Sequence, residues 1–328
     1  MIRITMNDSR GVGKTGQTSA ERGGKEMDYK GFKEKLLEGL RRSYGDRAEV
    51  ELTDVQKNNG VRYDGIRIRV KGDRSRVAPV IRVEEVYSRF AGGGMDMEGC
   101  VQAVSEMLKD NSVPKNVEQI AEKVNDWEYV KENVFPILLS TENNRELLQG
   151  LASTQMLDLS VVYIIRFRMA GDFEGNAKIN RNMLEIYGIS TGQLHEQAME
   201  NLRRDGYEFQ SMESIIRSMI GPEGAEEMHR STGQEVMYVL TNSSRTYGAA
   251  GILDKELLKE FAGEQDYYII PSSVHETIFV PVTDDGIGKK DLDNMVAEVN
   301  AAQVSVEERL TDHCYYYDAG TGKIRMCA

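Results

Sequence analysis

The sequence predicts an α+β protein in which antiparallel sheets are built from hairpins and amphipathic helices pack against them. Three observations carry this. Apolar residues alternate with polar ones in short runs bounded by turn residues, as at Val50 and Leu52 or Ile66, Ile68 and Val70. Elsewhere they recur at helical spacing, as at Tyr29, Phe32, Leu36 and Leu40. The two kinds of stretch do not follow the regular strand–helix alternation that a parallel sheet requires.

A chain of 328 residues, 40% hydrophobic, can supply the core of one large or two ordinary domains. Acidic side chains outnumber basic ones by 53 to 41, for a net charge of -12, so phosphate backbones and anionic lipid surfaces should repel the molecule as a whole. Neither a nucleic acid nor a membrane is expected as a partner. Cys100, Cys314 and Cys327 lack the number and spacing of a disulfide framework or a zinc site. No apolar run reaches the length of a membrane span, and Met1–Met27 lacks the apolar segment of a secretory signal, so a cytoplasmic location is expected.

Residues 1–26 are polar and glycine-rich, and a disordered extension is expected there, with Met27 as a candidate natural start. Within them GVGKT (Gly11–Thr15) suggests a phosphate-binding loop. Asp8 stands where that loop needs its first glycine, and neither the strand before it nor the helix after it is written, so a nucleotide site is the weaker reading.

From Asp28 the stripe Tyr29, Phe32, Leu36 and Leu40 predicts a helix ended by Gly45. A hairpin follows around Asn58, Asn59 and Gly60. The outer face of its return strand, Arg67, Arg69 and Lys71, is the most basic part of the chain. No aromatic rings interleave with it to stack bases, so it is read as a solvated face paired with Glu49 and Glu51 rather than an RNA surface. A strand over Val77–Val83, a helix over Glu84–Phe90 and a helix carrying Val101, Val104, Met107 and Leu108 complete an N-terminal unit, residues 27–110. Lys109–Lys115 reads as a linker to a C-terminal α+β region, residues 116–328.

That region opens with two short helical patterns, the second ended or kinked by Pro136, and a helix closed by Gly150. A strand over Leu157–Met169 has Asn176–Ile179 as its partner, and Ser190 with Gln193 forms a capping box. A helix at Met212–Ile220, strands at Val236–Thr241 and Ala249–Leu253, and a helix from Asp254 to Gly263 follow. After the hairpin YYIIPSSVHETIFVPV come a helix with Leu292, Met295, Val296 and Val299 inward and a last hairpin, His313–Asp318 with Lys323–Met326. The order strand, strand, short helix, longer helix in Ile66–Leu108 recurs in Leu157–Leu202, with Ile81, Val86 and Tyr87 in the places of Ile179, Leu184 and Tyr187. Repeated strand-strand-helix units are therefore expected.

Five segments carry a resemblance: KNNGVRYDGI (Lys57–Ile66), LDLSVVY (Leu157–Tyr163), MYVLTNSSRTYGAAGIL (Met237–Leu253), YYIIPSSVHETI (Tyr267–Ile278) and MVAEVNAAQVSVEERLTDHCYYYD (Met295–Asp318). Over about Asp28 to the C-terminus they resemble a domain-of-unknown-function family of anaerobic gut bacteria. Leu184–Leu202 is also similar to the YtpQ-like family. The resemblance implies a cytoplasmic bacterial origin and one integrated α+β module, and brings no catalytic residues.

The two apolar runs around Pro271 are expected to lie buried side by side, holding the hydrophilic bend between them out to solvent. In that bend Ser272, Ser273, His275 and Glu276 gather a hydroxyl, an imidazole and a carboxylate. Acyl transfer needs a nucleophile bonded to an oriented base, and residues two apart on a strand point in parallel rather than toward each other. No G-x-S-x-G elbow is present, so turn-building is the preferred role. A hydrolase using Ser272 or Ser273 with His275 and Glu276 or Asp284 is the alternative. Phe279 stands where an H-E-x-x-H zinc site needs its second histidine. His195 reads as helix surface, His229 stands apart, and His313 with Cys314 reads as a strand edge that would contribute to a metal site or a thiol pair only if distant chain supplied the other ligands. No metal and no cofactor is expected.

Tyr267 and Tyr268, and Tyr315, Tyr316 and Tyr317, lie in predicted strands. If those strands adjoin, alternate rings enter the core and the rest form an amphipathic patch, which makes Tyr267, Tyr315, Tyr316 and Tyr317 the candidate binding residues. Cross-strand stabilisation is the competing role. These features favour a non-catalytic intracellular binding or adaptor protein for an unknown protein or small molecule, over the hydrolase.

Overall fold

The computed structural model describes residues 4–6, 27–72, 80–110, 120, 122–168, 174–218, 221, 237–271, 273–283 and 288–327. GVGKT, His229, Ser272 and Asp284 lie outside the described residues. The chain forms two compact units: Met1–Gln56, Arg62–Val124 and Phe167–Ala177 in one, Lys57–Val61, Asn125–Arg166 and Lys178–Ala328 in the other. The fold is α+β, and the strand pairs described are antiparallel.

In the first unit, helix α1 (Tyr29–Tyr44) is capped by Asp28, whose carboxylate accepts the Gly31 N–H at 2.8 Å, and ends at Gly45. Its buried face is Phe32, Leu36 and Leu40, each stabilising the unit by about 2 kcal/mol through removal from water. Strands β2 (Ala48–Gln56), β3 (Arg62–Val70) and β4 (Val80–Arg82) form a sheet in that order. Helices α2 (Val83–Ala91) and α3 (Met97–Asp110) add Val83, Val86, Cys100 and Val104 to the same core as Val50, Ile66, Ile68 and Ile81. The basic face is paired as expected: Glu49 opposes Arg69, and Glu51 opposes and bonds Arg67. Within the extension expected not to pack, Ile4–Met6 (β1) forms a short strand antiparallel to Glu174–Lys178 (β8).

The second unit holds two groups of strands. In the first, β7 (Leu159–Arg168) takes β5 (Val134–Ser140) and β6 (Ser153–Met156) as neighbours. Here the expectation that Pro136 ends or kinks a helix is corrected. Helix α4 (Trp127–Asn133) stops just before Val134, and Pro136 lies inside β5, opposite Tyr163. The strand is terminal in its sheet, where a residue without an N–H leaves no ladder bond unmade. Helices α5 (Arg181–Tyr187) and α6 (Thr191–Arg204) follow, the latter with the expected Ser190–Gln193 capping box. Buried Asn201 of α6 donates to the carbonyls of Lys131 and Val134 at 2.8 and 2.9 Å, satisfying the end of α4. The element order strand, strand, short helix, longer helix thus occurs twice along the chain.

The second group is a six-stranded sheet ordered β14 (Lys323–Met326), β13 (Tyr315–Asp318), β11 (Tyr267–Ile270), β12 (Thr277–Pro281), β10 (Tyr238–Asn242) and β9 (Tyr207–Ser211). On one face Phe209, Tyr238, Tyr267 and Phe279 pack with Phe261 of helix α7 (Lys255–Ala262), the Phe209 and Phe261 rings stacked at 3.5 Å. On the other, Ile270, Val280 and Cys314 meet Leu292 and Val296 of helix α8 (Lys289–Ala302). The strand expected at Ala249–Leu253 is instead a buried 3-10 helix, Gly248–Leu253. Glycine and alanine favour strands weakly, and here their small size lets the segment lie directly on the sheet: a Cβ on Gly251 would meet Tyr207 at 2.6 Å.

Candidate functional site

The two apolar strands do lie side by side, Tyr267 opposite Pro281 and Ile270 opposite Ile278. The bend between them is not held out. Ser273 and Val274 are 9% and 3% exposed. Segment 306–309 covers one side, with Ser273 bridged to Arg309 and the Val274 N–H donating to the Glu308 carbonyl at 2.8 Å. Segment 247–249 covers the other, where the Ala249 N–H reaches the Val274 carbonyl at 3.3 Å. The bend's buried peptide groups must find partners, and they find them in chain too distant for the sequence pattern to show.

The side chains in the bend serve this packing. Ser273 Oγ accepts the His275 backbone N–H at 2.9 Å, a local turn bond. His275 Nδ1 accepts the Tyr247 N–H at 3.3 Å, which leaves the proton on Nε2, 3.3 Å from Glu308 Oε1. Both ring nitrogens are therefore engaged away from Ser273, and Glu276 is exposed beside them. The structure brings the serine and histidine together as neighbours in a turn, without the bond between hydroxyl and imidazole that acyl transfer needs.

The tyrosine strands adjoin, with Tyr267 opposite Tyr317, Tyr268 opposite Tyr316 and Ile269 opposite Tyr315. Tyr267, Tyr315 and Tyr317 are buried core residues, so three of the four expected binding rings face inward. Tyr316 is half-buried, edge-on to Tyr268 at 5.8 Å and covered by Arg325 at 4.4 Å, with its hydroxyl on Asp266. That hydrogen bond holds the Asp266 carboxyl below the usual carboxylate range.

Asp158 is the residue that sequence reasoning missed. It sits in the tight turn between β6 and β7, after Leu157 at φ 53°. Its carboxylate accepts Thr311 Oγ1 at 2.7 Å, the Tyr315 hydroxyl, and His313 Nδ1 at 3.2 Å. Burial alone would raise this carboxyl, but the bonds from Tyr315, Thr311 and His313 outweigh it and hold it below the usual range. Burial, reinforced by Asp158, pushes the Tyr315 hydroxyl up, so the proton stays on the tyrosine. A signal was present in the sequence: Asp158 lies in LDLSVVY and its partners lie in LTDHCYYYD, two segments of the resemblance.

The loop 306–313 thus carries two imidazole–carboxylate pairs, His275–Glu308 and Asp158–His313. Their side chains stay accessible, with His275 32%, Glu308 45% and His313 61% exposed. The Tyr247 ring stacks on His275 at 5.8 Å. The turn Asn58–Gly60 holds the same loop, Asn59 Nδ2 donating to the carbonyls of Val306 and Arg309, each at 2.7 Å. All five segments of the resemblance reach this cluster. A family model matches residues 29–319, and its description is a family of unknown function, DUF5688.

The chain belongs to the DUF5688 family.

No curated protein and no solved structure matches this DUF5688 chain significantly. Among the described residues, the hydroxyls nearest His313 are those of Thr311, whose Oγ1 lies 3.2 Å from the imidazole Nδ1, and Tyr315, and both donate to the carboxylate that orients the ring. Among the described residues, no group of three or more His, Cys, Asp or Glu side chains is placed to hold a metal ion. His195 is half-buried rather than ordinary helix surface; its Nδ1 lies 3.0 Å from the Tyr163 hydroxyl, and burial draws its pKa down.

Proposed function

We propose that this DUF5688 chain is a non-catalytic binding module of the bacterial cell interior, and that Tyr247, His275, Glu308 and His313 form its recognition face. One observation carries the reading: two accessible imidazoles are each oriented by a carboxylate, on loops fastened from several directions. Such a face presents donors, acceptors and a ring edge in fixed positions, so little ordering remains to oppose association. The family resemblance supports a bacterial origin.

The test is capture from extracts of the source organism, with proteins and small molecules identified together by mass spectrometry. The expected result is a species retained by wild type and lost from the double variant His275→Ala, His313→Ala, whose melting is measured alongside. Equal retention by a folded double variant overturns the recognition face. Labelling by a serine-directed hydrolase probe that disappears in Ser273→Ala overturns the non-catalytic reading.

A further inference from the structure

The C-terminal hairpin sets two cysteines against each other. Tyr315 pairs with Met326, so the next residues outward, Cys314 and Cys327, are opposed, and the Cys327 N–H donates to the Cys314 carbonyl at 3.2 Å. Opposed residues of an antiparallel pair send their side chains to one face, with Cα atoms about 4.5–5.5 Å apart, inside the span of a disulfide. Both side chains join one apolar cluster, Cys314 within it and Cys327 against it, and the two thiols are hydrogen-bonded to each other. Both are thiols in this structure.

We propose that Cys314 and Cys327 are a redox-active dithiol that closes reversibly to a cross-strand disulfide by exchange with a small-molecule disulfide. Cys314 is 1% exposed whereas Cys327 is half-buried, so the small molecule meets Cys327 first. The Cys327 thiol gives up its proton and its sulfur attacks RSSR, forming a mixed disulfide and releasing RS⁻, which takes that proton. The Cys314 sulfur then attacks the Cys327 sulfur. The second RS⁻ departs and takes the Cys314 proton. Two cysteine thiols are oxidised by two electrons, and one RSSR is reduced to two RSH. The hydrogen bond to the Cys327 sulfur, with burial, pushes the Cys314 thiol up, which suits it to act second, as the resolving group. The closed form staples β14, the terminal strand of its sheet, to β13, whose Tyr315 binds Asp158.

The experiment exposes the full chain to excess oxidised glutathione, alkylates it under denaturing conditions and digests it with trypsin. The expected product joins the peptide Leu310–Lys323 to Met326–Ala328, disappears with dithiothreitol, and raises Tm by roughly 5 °C. Cys314→Ser should stop at a stable mixed disulfide on Cys327, while Cys100, which is buried, stays alkylable once unfolded. The proposal is overturned if both cysteines of folded wild type remain alkylable, or if wild type also stops at the mixed disulfide. Reduced Cys327→Ser melting with wild type separates loss of the disulfide from loss of the fold.

Discussion

Asn59 and Asn144, 85 residues apart in sequence, grip each other: the Asn59 N–H donates to Asn144 Oδ1 at 2.7 Å and Asn144 Nδ2 donates to Asn59 Oδ1 at 2.6 Å. Asn144 is almost fully buried and also donates to the Ser140 carbonyl at 2.8 Å, so the pair fastens the Asn58–Gly60 turn to the end of β5. The same Asn59 side chain holds segment 306–309. Loop 306–313 is therefore positioned by an asparagine whose backbone φ is 56°, a left-handed conformation that asparagine tolerates better than most residues.

Substituting Asn59 tests that role. Asn59→Ala removes the side-chain bonds, leaves a buried amide on Asn144 short of a partner, and puts alanine in a left-handed backbone that asparagine tolerates better, for a loss of about 3 kcal/mol. Asn59→Gly relieves the backbone part and should lose about 1 kcal/mol less. Denaturant midpoints of the three proteins check the order, and equal midpoints would show that the turn is held by something else.

Asp158 makes part of the stability depend on acid pH. Its folded carboxyl lies below the ordinary value near 4, so its contribution is fully present above that value and is lost as pH falls through the lower folded value. Asp158→Asn should therefore destabilise at neutral pH and flatten the fall in stability below about pH 4. Tyr315→Phe, which keeps the ring and removes one donor, should cost about 2 kcal/mol at pH 7 and move the Asp158 carboxyl upward, read by NMR titration. An unchanged acid limb in both variants would show that Asp158 is not held low by these bonds.

Neighbouring tyrosines should separate by face. Tyr267 is buried among Tyr238, Phe261 and Phe279, so Tyr267→Ala should cost about 4 kcal/mol. Tyr268 lies on the opposite face, partly buried against the apolar cluster beneath α8, and Tyr268→Ala should cost roughly half as much. Unfolding free energies decide it, and a larger loss at Tyr268 would contradict the register of β11 against β13.

Local physics made much of this fold legible. The stripe of α1, the box at Ser190 and Gln193, and the alternation either side of Pro271 each depend on residues within a few positions of one another. Pro136 misled because proline stops a helix and is also tolerated on a terminal strand, and only the sheet order distinguishes the two. The candidate site was harder still. Ser272, Ser273, His275 and Glu276 drew notice as sequence neighbours, whereas His275 finds its partners at Tyr247 and Glu308 and His313 finds its own at Asp158, 155 residues away. Proximity created by folding leaves no periodicity to read.

Gly248 offers the sharpest steric test of the way the bend is covered. A Cβ there would lie 2.4 Å from the His275 carbonyl oxygen, 2.4 Å from Thr241 Oγ1 and 2.9 Å from the Asn242 nitrogen. Two of these are backbone atoms of paired segments, and Thr241 Oγ1 is itself committed to the His275 carbonyl at 3.0 Å. The added methyl must therefore push the 3-10 segment off the sheet and take the Tyr247 N–H from His275 Nδ1. Gly248→Ala should cost about 3 kcal/mol, the upper end for overpacking, whereas Gly150→Ala, where a Cβ meets nothing within 4 Å, should change stability by less than about 0.5 kcal/mol. The imidazole nitrogen shifts of His275 give a second readout: with the Tyr247 donor withdrawn, only Glu308 still favours the Nε2–H tautomer, so the preference for it weakens even in molecules that remain folded. A Gly248→Ala protein with wild-type stability and an unchanged tautomer would mean that segment 247–249 does not press on the bend.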